Sequence, residues 1–504
     1  MASSDETIKS LAAANTTLPV AVTRAHSGAA VIFRKTSRTV LLTFILALLP
    51  LVNTRLGEKL SFKGQTYREM LPSARELISF GGATHSGGEL PGGSAQNDVP
   101  VAEVIEPPAG AGSIVDPDRA LDAFYEKLAS TDGKKPGAIT RIAHYGDSPI
   151  TNDGLTAPTR RLLQQRFGDA GHGFILLDRP WEWYGHQAIT FSSGGGWNDD
   201  TLMNPMTTDG AFGLGGVNIR ASGAGKYARF GPATEGDNGK QFSRMDVYFL
   251  RQPNGGTFQA AVVGGNQQSV STSGDKTESG FFELAAAQNG ANTFEVRSMS
   301  GSVRFFGAVI ENDGPGIVYD SLGVNGAYAG LLATVMNEKH WGEQLQHRNP
   351  DLIILNYGTN ESQYASDAQM ARYDRDLREV VRRIRSALPR VSIMIVSPMD
   401  RGTHSGGKVI TLASIPKIVE LQRRVAEETN CAFFNLFAAM GGEGTMARWH
   451  EGRNHMVGGD LTHPTTAGAE KIGELIYNAI VDGYSRYQAR QRVNPKVTDT
   501  QNGN

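Results

Sequence analysis

Strand-like and helix-like segments alternate over most of the chain, and this alternation restricts the fold more than any other feature of the sequence. Residues 139–145 are predicted as a strand, residues 156–167 as a helix, and residues 351–356 as a strand buried on both faces. Strands separated by helices of ten or more residues indicate a parallel sheet with helices on both faces. The same pattern predicts strands at 316–324, 391–396 and 431–436 and helices at 116–130, 366–388, 415–430 and 465–490.

Two of the predicted helices carry recognisable start signals. Ser366 is a candidate N-cap for the helix that Pro389 stops, and Ser414 is a candidate N-cap for the next helix.

Residues 206–313 interrupt the alternation. They are rich in Gly, Ser, Thr and Asn, and short runs with Phe, Tyr and Val are separated by turn signals. This spacing is typical of a β-sandwich, and we expect a β-rich domain inserted into the α/β domain. A long disordered insertion is the alternative. The predicted divisions are a tail with a signal peptide or signal anchor (1–55), a linker and lead-in helix (56–136), the α/β domain in two parts (137–205 and 314–490), the insertion (206–313) and a disordered tail (491–504).

The first part of the chain predicts export. Basic residues, among them Arg34, Lys35 and Arg38, precede an apolar run at 40–52. The run is shorter than the roughly 20 residues of a full membrane span and is similar to a secretory signal, although an uncleaved anchor fits as well. Orientation by positive charge places the residues after Arg55 outside the cytoplasm. We therefore expect a site in the bacterial periplasm or cell envelope, with residues 39–53 as an anchor in the inner membrane.

Charge and cysteine content exclude other classes of function. The 49 Lys and Arg residues nearly balance the 51 Asp and Glu residues, so no nucleic-acid partner is expected. Cys431 is the only cysteine, which excludes an intramolecular disulfide and a zinc finger.

Two polar motifs follow predicted strands or precede predicted helices. Gly146-Asp147-Ser148 ends the first strand, at the sheet edge where open parallel sheets bind ligands. Asp460-Leu-Thr-His463 precedes the last helix. A carboxylate three residues before a histidine can fix the imidazole tautomer, so that the other ring nitrogen accepts a proton from a serine. Each motif alone also fits an ordinary surface loop.

Two further positions can supply hydrogen-bond donors at the same edge. Asn360 comes after the buried strand at 351–356, and its side-chain amide can donate to an oxyanion. Gly326 lies in a turn after the segment at 316–324, and its backbone N–H can donate as well, although a plain turn glycine is the simpler interpretation.

Together and in this order, the four blocks resemble the SGNH/GDSL hydrolase family, which is named for Ser, Gly, Asn and His, here Ser148, Gly326, Asn360 and His463. The resemblance covers about 137–202 and 314–488. It implies a flavodoxin-like, three-layer α/β fold. It also implies a serine esterase with Ser148, His463 and Asp460 as the triad and with Ser148, Gly326 and Asn360 as the oxyanion hole, without metal or cofactor. Two positions depart from the family: Glu361 stands where Asp is more common, and Pro149 where related carbohydrate esterases often have His.

The substrate is predicted from the region after the nucleophile. Trp181, Trp183 and Tyr184 can stack on sugar rings, or pack the insertion against the sheet. Residues 162–173 and the insertion resemble the peptidoglycan O-acetylesterase branch, whose members carry a jelly-roll module. The resemblance implies removal of O-acetyl groups from an envelope or exported polysaccharide. A polysaccharide O-acetyltransferase with the same triad and a non-catalytic carbohydrate-binding scaffold are the alternatives.

Overall fold

The computed structural model describes residues 61–62, 65–66, 112–363 and 366–493. The predicted anchor at 39–53, most of the predicted linker and the end of the tail from 494 lie outside the described residues. The chain divides into two units, and the boundary falls in the sequence between Val99 and Pro100. In the first unit, strand β1 (Ser61–Phe62) pairs antiparallel with β2 (Gln65–Thr66). Over the described ranges, no helix combines the length and apolar character that crossing a membrane requires.

The second unit begins with helix α1 (Asp122–Asp132), strand β3 (Ile139–Gly146) and helices α2 (Ser148–Thr151) and α3 (Thr156–Phe167). The next eleven strands are β4 (Gly171–Ile175), β5 (Thr190–Gly194), β6 (Asn198–Thr201), β7 (Val217–Ser222), β8 (Tyr227–Gly231), β9 (Phe242–Arg251), β10 (Thr257–Val262), β11 (Gln267–Ser271), β12 (Glu278–Gly290), β13 (Phe294–Ser300) and β14 (Ser302–Glu311). The chain continues with β15 (Gly316–Gly323), α4 (Ala329–Thr334), α5 (Glu338–Arg348), β16 (Leu352–Asn356), α6 (Asp367–Ala387), β17 (Ser392–Val396), β18 (Gly402–Ser405), β19 (Lys408–Thr411), α7 (Ser414–Glu428), β20 (Ala432–Phe434), α8 (Leu436–Ala439), α9 (Thr445–Glu451) and α10 (Thr466–Val493).

Five strands form the predicted parallel sheet, in the order β15-β3-β16-β17-β20. Numbered along the chain, this is the 2-1-3-4-5 order of flavodoxin-like folds. The last residues of three neighbouring strands are aligned, because Gly146 of β3 is opposite Gly323 of β15 and Asn356 of β16. The loops after these strands therefore leave the sheet at one level. The prediction of an α/β fold is confirmed.

Alternate residues of each parallel strand face different layers. In β16, Ile353 and Leu355 belong to a core shared with α4 to α7 and with the antiparallel strands. Leu352 and Ile354 belong to a second core shared with α1, α3 and α10. Helices thus cover both faces of the sheet, as strands buried on both sides require.

The region between α3 and β15 is antiparallel. Its strands form one sheet in the order β11-β10-β13-β8-β5 and another in the order β12-β9-β14-β7-β6, with β4 also paired to β14. Phe258 of β10 packs on Phe249 and Phe305 of the other sheet, with ring centroids 5.2 and 5.1 Å apart. Strands β5 and β6 precede residue 206, where the sequence predicts the insertion to begin. The jelly-roll assignment stays a prediction.

A buried ion cluster joins the antiparallel region to the parallel sheet. Arg348 donates to Asp320 of β15 (Nε to Oδ2, 2.7 Å) and to Glu311 of β14 (Nη1 to Oε1, 2.6 Å). Arg141 of β3 also donates to Glu311, at 2.9 and 2.8 Å. Burial alone would raise the pKa of Glu311, but these guanidinium groups hold it well below its usual range.

The predicted starts of three helices can be compared with the structure. Ser366 is the N-cap of α6, and with Gln369 it forms a capping box. Ser414 is not the N-cap: it is the first residue of α7, after the N-cap Ala413, and its hydroxyl donates to the Ser362 carbonyl at 2.7 Å. Helix α1 begins at Asp122, later than predicted, because the Asp116 carboxylate accepts the N–H groups of Ala120 and Leu121 and thereby closes a turn before the helix.

Candidate active site

Ser148 lies immediately beyond the carboxyl end of β3, where it opens α2. The preceding turn is tight: a Cβ at Gly146 would lie 2.4 Å from Ile150 Cδ1 and 2.7 Å from the Asn356 carbonyl oxygen. Only glycine fits this position without displacing the neighbouring strand. The turn therefore presents Ser148 at the sheet edge that parallel α/β folds use for ligands.

His463 and Asp460 form a hydrogen-bonded chain with this serine. Ser148 Oγ lies 2.7 Å from His463 Nε2, and His463 Nδ1 lies 2.5 Å from Asp460 Oδ2. A carboxylate can only accept, so Nδ1 donates to Asp460 and Nε2 is left to accept the hydroxyl proton of Ser148. The structure thus brings the three predicted triad residues together, with hydrogen bonds in the order that a general base requires.

The loop itself orients the carboxylate. Asp460 Oδ1 accepts the backbone N–H groups of Thr462 and His463, each at 3.0 Å. Partial burial would raise the pKa of Asp460, but these hydrogen bonds and the one from the His463 side chain outweigh it and lower the pKa. Asp460 is therefore an anion over the neutral pH range. About half of each side chain is exposed, 52% for Asp460 and 48% for His463, so the base is open to a substrate.

Gly326 and Asn360 lie in the loops after the two strands that flank β3. Val324 N donates to the Gly146 carbonyl at 3.1 Å, which joins the Gly326 loop to the turn before Ser148. Gly326 has φ 75°, a conformation that glycine adopts without strain. Asn360 Nδ2 donates to the Ala327 carbonyl at 2.8 Å, so one amide hydrogen fixes the side chain and the second remains for another acceptor.

Glu361 holds the same two loops together, a role that the sequence did not reveal. Its Oε1 accepts Ala329 N at 2.9 Å, and its Oε2 accepts Gly358 N at 3.0 Å. Burial raises the pKa of Glu361 to about 7. The departure noted at this position, Glu in place of Asp, thus falls on a carboxyl group that bridges the two predicted donor loops.

Asp147 carries a buried carboxyl group beside the nucleophile. Burial, and next the proximity of Glu361, raise its pKa to about 8. Its Oδ2 has no hydrogen-bond partner among the described residues. The sequence indicated Asp147 only as a letter of the Gly-Asp-Ser motif, because a burial of this kind depends on the packing of all the neighbouring loops.

Two recesses open at this edge of the sheet. The serine recess, about 340 Å³, is lined by Ser148 and His463 together with polar residues that include Asn152, Gln187 and Thr465. The donor recess, about 440 Å³, is lined by Gly326 and Asn360 together with Met203, Tyr328, Gln363, Gln369, Arg372 and Asp376.

The three predicted substrate-binding aromatics differ in exposure. Trp183 is 54% exposed. Trp181 is half-buried and packs on the core. Tyr184 is buried, and its hydroxyl accepts Leu176 N at 2.8 Å and bonds to His186 Nε2 at 2.9 Å. The proposed role of Tyr184 in stacking on substrate is therefore wrong, because its ring is already covered by the protein.

Asp153, His172 and His186 are close enough to suggest a metal site, with potential ligand atoms within 4.8 Å of one another. Their hydrogen bonds show otherwise. Asp153 accepts from Thr156, from two nitrogens of Arg160 and from Gln187 N. His172 Nε2 bonds to His186 Nδ1 at 2.7 Å. These bonds engage the Asp153 carboxylate and the two facing ring nitrogens, while His172 Nδ1 has no hydrogen-bond partner among the described residues. The Arg160 charge would repel a cation, so we describe the group as a hydrogen-bonded network beside the loop at Gln187.

Part of the chain matches a known family. Residues 286–471 match the GDSL-like Lipase/Acylhydrolase family, a stretch that contains Gly326, Asn360, Asp460 and His463 but not Ser148. No curated protein matches the sequence.

Solved structures extend the comparison to most of the chain. A peptidoglycan O-acetylesterase is 23% identical with a TM-score of 0.62, covering 74% of this chain and 99% of that one. At this identity the likeness shows a shared fold. An acetylxylan esterase from Geobacillus stearothermophilus is also similar, at 18% identity and a TM-score of 0.25, over 34% of this chain and 73% of that one.

Proposed function

We propose that this SGNH/GDSL-type esterase removes O-acetyl groups from an envelope or exported polysaccharide through a Ser148–His463–Asp460 triad. The observation that carries the proposal is the hydrogen-bonded chain from Ser148 Oγ through His463 to Asp460, at the carboxyl edge of the sheet. The choice of an acetylated glycan as substrate is supported by the likeness to a solved peptidoglycan O-acetylesterase.

The hydrogen bonds of Ser148, His463 and Asp460 determine the direction of each proton transfer in the reaction. Ser148 Oγ attacks the ester carbonyl carbon while its proton passes to His463 Nε2, and Asp460 stabilises the imidazolium without taking the proton. The tetrahedral oxyanion accepts from the N–H groups of Ser148 and Gly326 and from the Asn360 amide. His463 then protonates the sugar oxygen as its bond to the acyl carbon breaks, and an acetylated Ser148 remains.

Water completes the cycle. His463 removes a proton from water, the resulting hydroxide attacks the acetyl carbon, and acetate leaves as Ser148 regains its proton. A sugar hydroxyl in place of water would give acetyl transfer by the same steps. The half-exposed triad admits either acceptor, so the acceptor has to be measured.

The surroundings suggest how a glycan is held. The exposed indole of Trp183 can stack on a sugar ring, since aromatic faces suit its C–H surface. We also propose that the antiparallel region is a jelly-roll module that contributes to glycan binding. Export through the apolar run at 40–52, with residues 39–53 as an anchor, would place the site next to such polymers.

The test is acetate release from a panel of O-acetylated polymers, including peptidoglycan and acetylxylan. Wild type should release acetate from at least one polymer, and Ser148→Ala should release none above background. Ser269→Ala, which alters an exposed serine of β11, is the matched control and should behave as wild type. Added unacetylated oligosaccharide distinguishes the acceptors: free acetate indicates hydrolysis, and acetylated oligosaccharide indicates transfer. Equal rates in Ser148→Ala and wild type would contradict the proposal.

A further inference from the structure

We infer that the donor recess is a second sugar subsite, which binds an uncharged sugar unit next to the acetylated one, and that Met203 of the antiparallel region forms its wall. The inference rests on the function proposed above and adds a binding site for the sugar unit that neighbours the acetylated one. No part of the triad lines the donor recess, yet Gly326 and Asn360 form one side of it. A ligand there would lie directly beside the reacting ester.

The direction of proton transfer assigns the two recesses. His463 has to protonate the sugar oxygen, so the acetylated unit lies in the serine recess, which His463 lines. An acetyl group has a single methyl beyond its carbonyl and cannot fill a recess of about 440 Å³. The remaining space on the far side of the ester is therefore available to the neighbouring unit of the chain.

The lining of the donor recess suits a sugar ring. Met203 lies over the Gly326 turn, because its side-chain atoms are 3.6 to 3.8 Å from where a Cβ of residue 326 would be. Together with the half-buried Tyr328, this thioether offers an apolar surface for the C–H face of a ring. Sites for small ligands commonly combine such surfaces with a few polar groups that fix orientation.

The polar groups of the donor recess favour a ligand without net charge. Arg372 Nε lies 3.4 Å from Asp376 Oδ2, so the cation and the anion compensate each other. The half-buried Glu361 is already bonded to two backbone N–H groups. Asp376 can still accept from a sugar hydroxyl, and the exposed amide of Gln363 at the rim can donate or accept.

Met203 gives the antiparallel region a direct part in substrate choice. It lies in the connection between β6 and β7, and its neighbour Leu202 is fully packed. Leu202 and Val324 both lie 2.9 Å from where a Cβ of Gly216 would be, so the connection is fixed against the loop that carries Gly326. The position of Met203 in the subsite is thus fixed by packing between the antiparallel region and the loop that carries Gly326.

The test compares two substrates in the full-length protein. One is tri-N-acetylchitotriose acetylated on its 6-hydroxyl groups, which can occupy both recesses. The other is p-nitrophenyl acetate, which has no second sugar. For Met203→Ala and Asp376→Asn, the kcat/KM for the trisaccharide divided by that for the aryl ester should fall about tenfold, mostly through KM. Met206→Ala is the matched control, because Met206 lies in the same connection, is 71% exposed and does not line the recess.

Three outcomes would overturn the inference. In the first, neither variant changes kcat/KM for either substrate. In the second, the aryl ester loses as much rate as the trisaccharide, which would make the recess part of the reaction centre. In the third, wild type hydrolyses p-nitrophenyl butyrate as well as the acetate and Met203→Ala changes that preference, which would assign the recess to the acyl chain. Failure of the proposed function is a separate result, since wild type itself would then release no acetate from the trisaccharide, whether or not it cleaves the aryl ester.

Discussion

The parallel and the antiparallel sheets differ in burial and in the arrangement of their strand ends. The parallel strands are buried along almost their whole length, whereas β11 and β5 of the antiparallel region are largely exposed. All five parallel strands end at one edge, so loops distant in sequence meet there: Ser148 after β3, Gly326 after β15 and Asn360 after β16. In antiparallel sheets the carboxyl ends alternate between two edges, and no such convergence arises. The direction of the strands therefore explains why the reacting groups gather on one sheet, while the other region supplies a wall and the ion cluster at the junction.

Among the variants considered, His463→Ala should cause the largest loss of esterase activity, measured with p-nitrophenyl acetate. Removing the general base should lower kcat by about 10⁴-fold or more, because the triad acts as a unit. Thermal unfolding should not change, since the side chain is about half exposed. The control is His404→Ala, which alters an exposed histidine of β18 and should leave kcat unchanged. A loss below tenfold in His463→Ala would mean that another residue acts as base.

Arg348→Met should be the most damaging change at the junction between the two regions. It leaves Glu311 and Asp320 buried without their main partner, a situation that typically costs about 3 to 5 kcal/mol in the free energy of unfolding. Chemical denaturation at neutral pH measures the effect. Arg424→Met removes an ion pair whose arginine is 50% exposed, and the loss there should be much smaller. If both variants lost a similar free energy of unfolding, the buried ion cluster would contribute no more to stability than an exposed ion pair.

Asn360→Ala should lower kcat for p-nitrophenyl acetate by about 10²–10³-fold, the usual loss for one oxyanion donor. Glu361→Gln should also lower kcat, because one of the two backbone N–H groups would then face an NH₂ group. If Glu361 acts by positioning the donor loops, the double variant should be scarcely slower than Asn360→Ala alone. Additive losses would separate the two residues.

Asp147→Asn should change how stability depends on pH. The Asp147 carboxyl keeps its proton in the folded state up to a pKa of about 8, whereas an unfolded chain releases it near 3.8. This contribution to stability is complete below about pH 4 and is lost as the pH rises towards 8. The free energy of unfolding of wild type should therefore fall relative to the variant by roughly 1 kcal/mol per pH unit between pH 5 and 7. Asp237→Asn, at an exposed site, should run parallel to wild type. If the pKa of Asp147 in wild type were ordinary, the Asp147→Asn variant would also show the same pH dependence as wild type, and the prediction would be wrong.

Periodic sequence patterns predict the parallel region well. The helix predicted at 156–167 is α3, with the same bounds, and the apolar run at 351–356 contains β16. The four motifs are also found from the sequence, because each comes after a strand or before a helix that has a clear pattern of its own.

The rest depends on contacts that sequence periods do not record. Strand β6 reads Asn-Asp-Asp-Thr, which lacks an apolar alternation, so its pairing with β7 was not visible. The burial of Tyr184, and of the carboxyl groups of Asp147 and Glu361, results from loops that meet only in the folded chain. These buried groups distinguish the site from an ordinary surface loop that has the same sequence motif.

Labelling with a p-nitrophenyl phosphonate ester tests the central claim most directly, since such a reagent reacts with a serine that a neighbouring base activates. Intact-mass and peptide mass spectrometry should find one adduct per chain, on Ser148, in wild type, and none in Ser148→Ala or His463→Ala. An adduct on another residue, or an unlabelled protein that still releases acetate, would contradict the account.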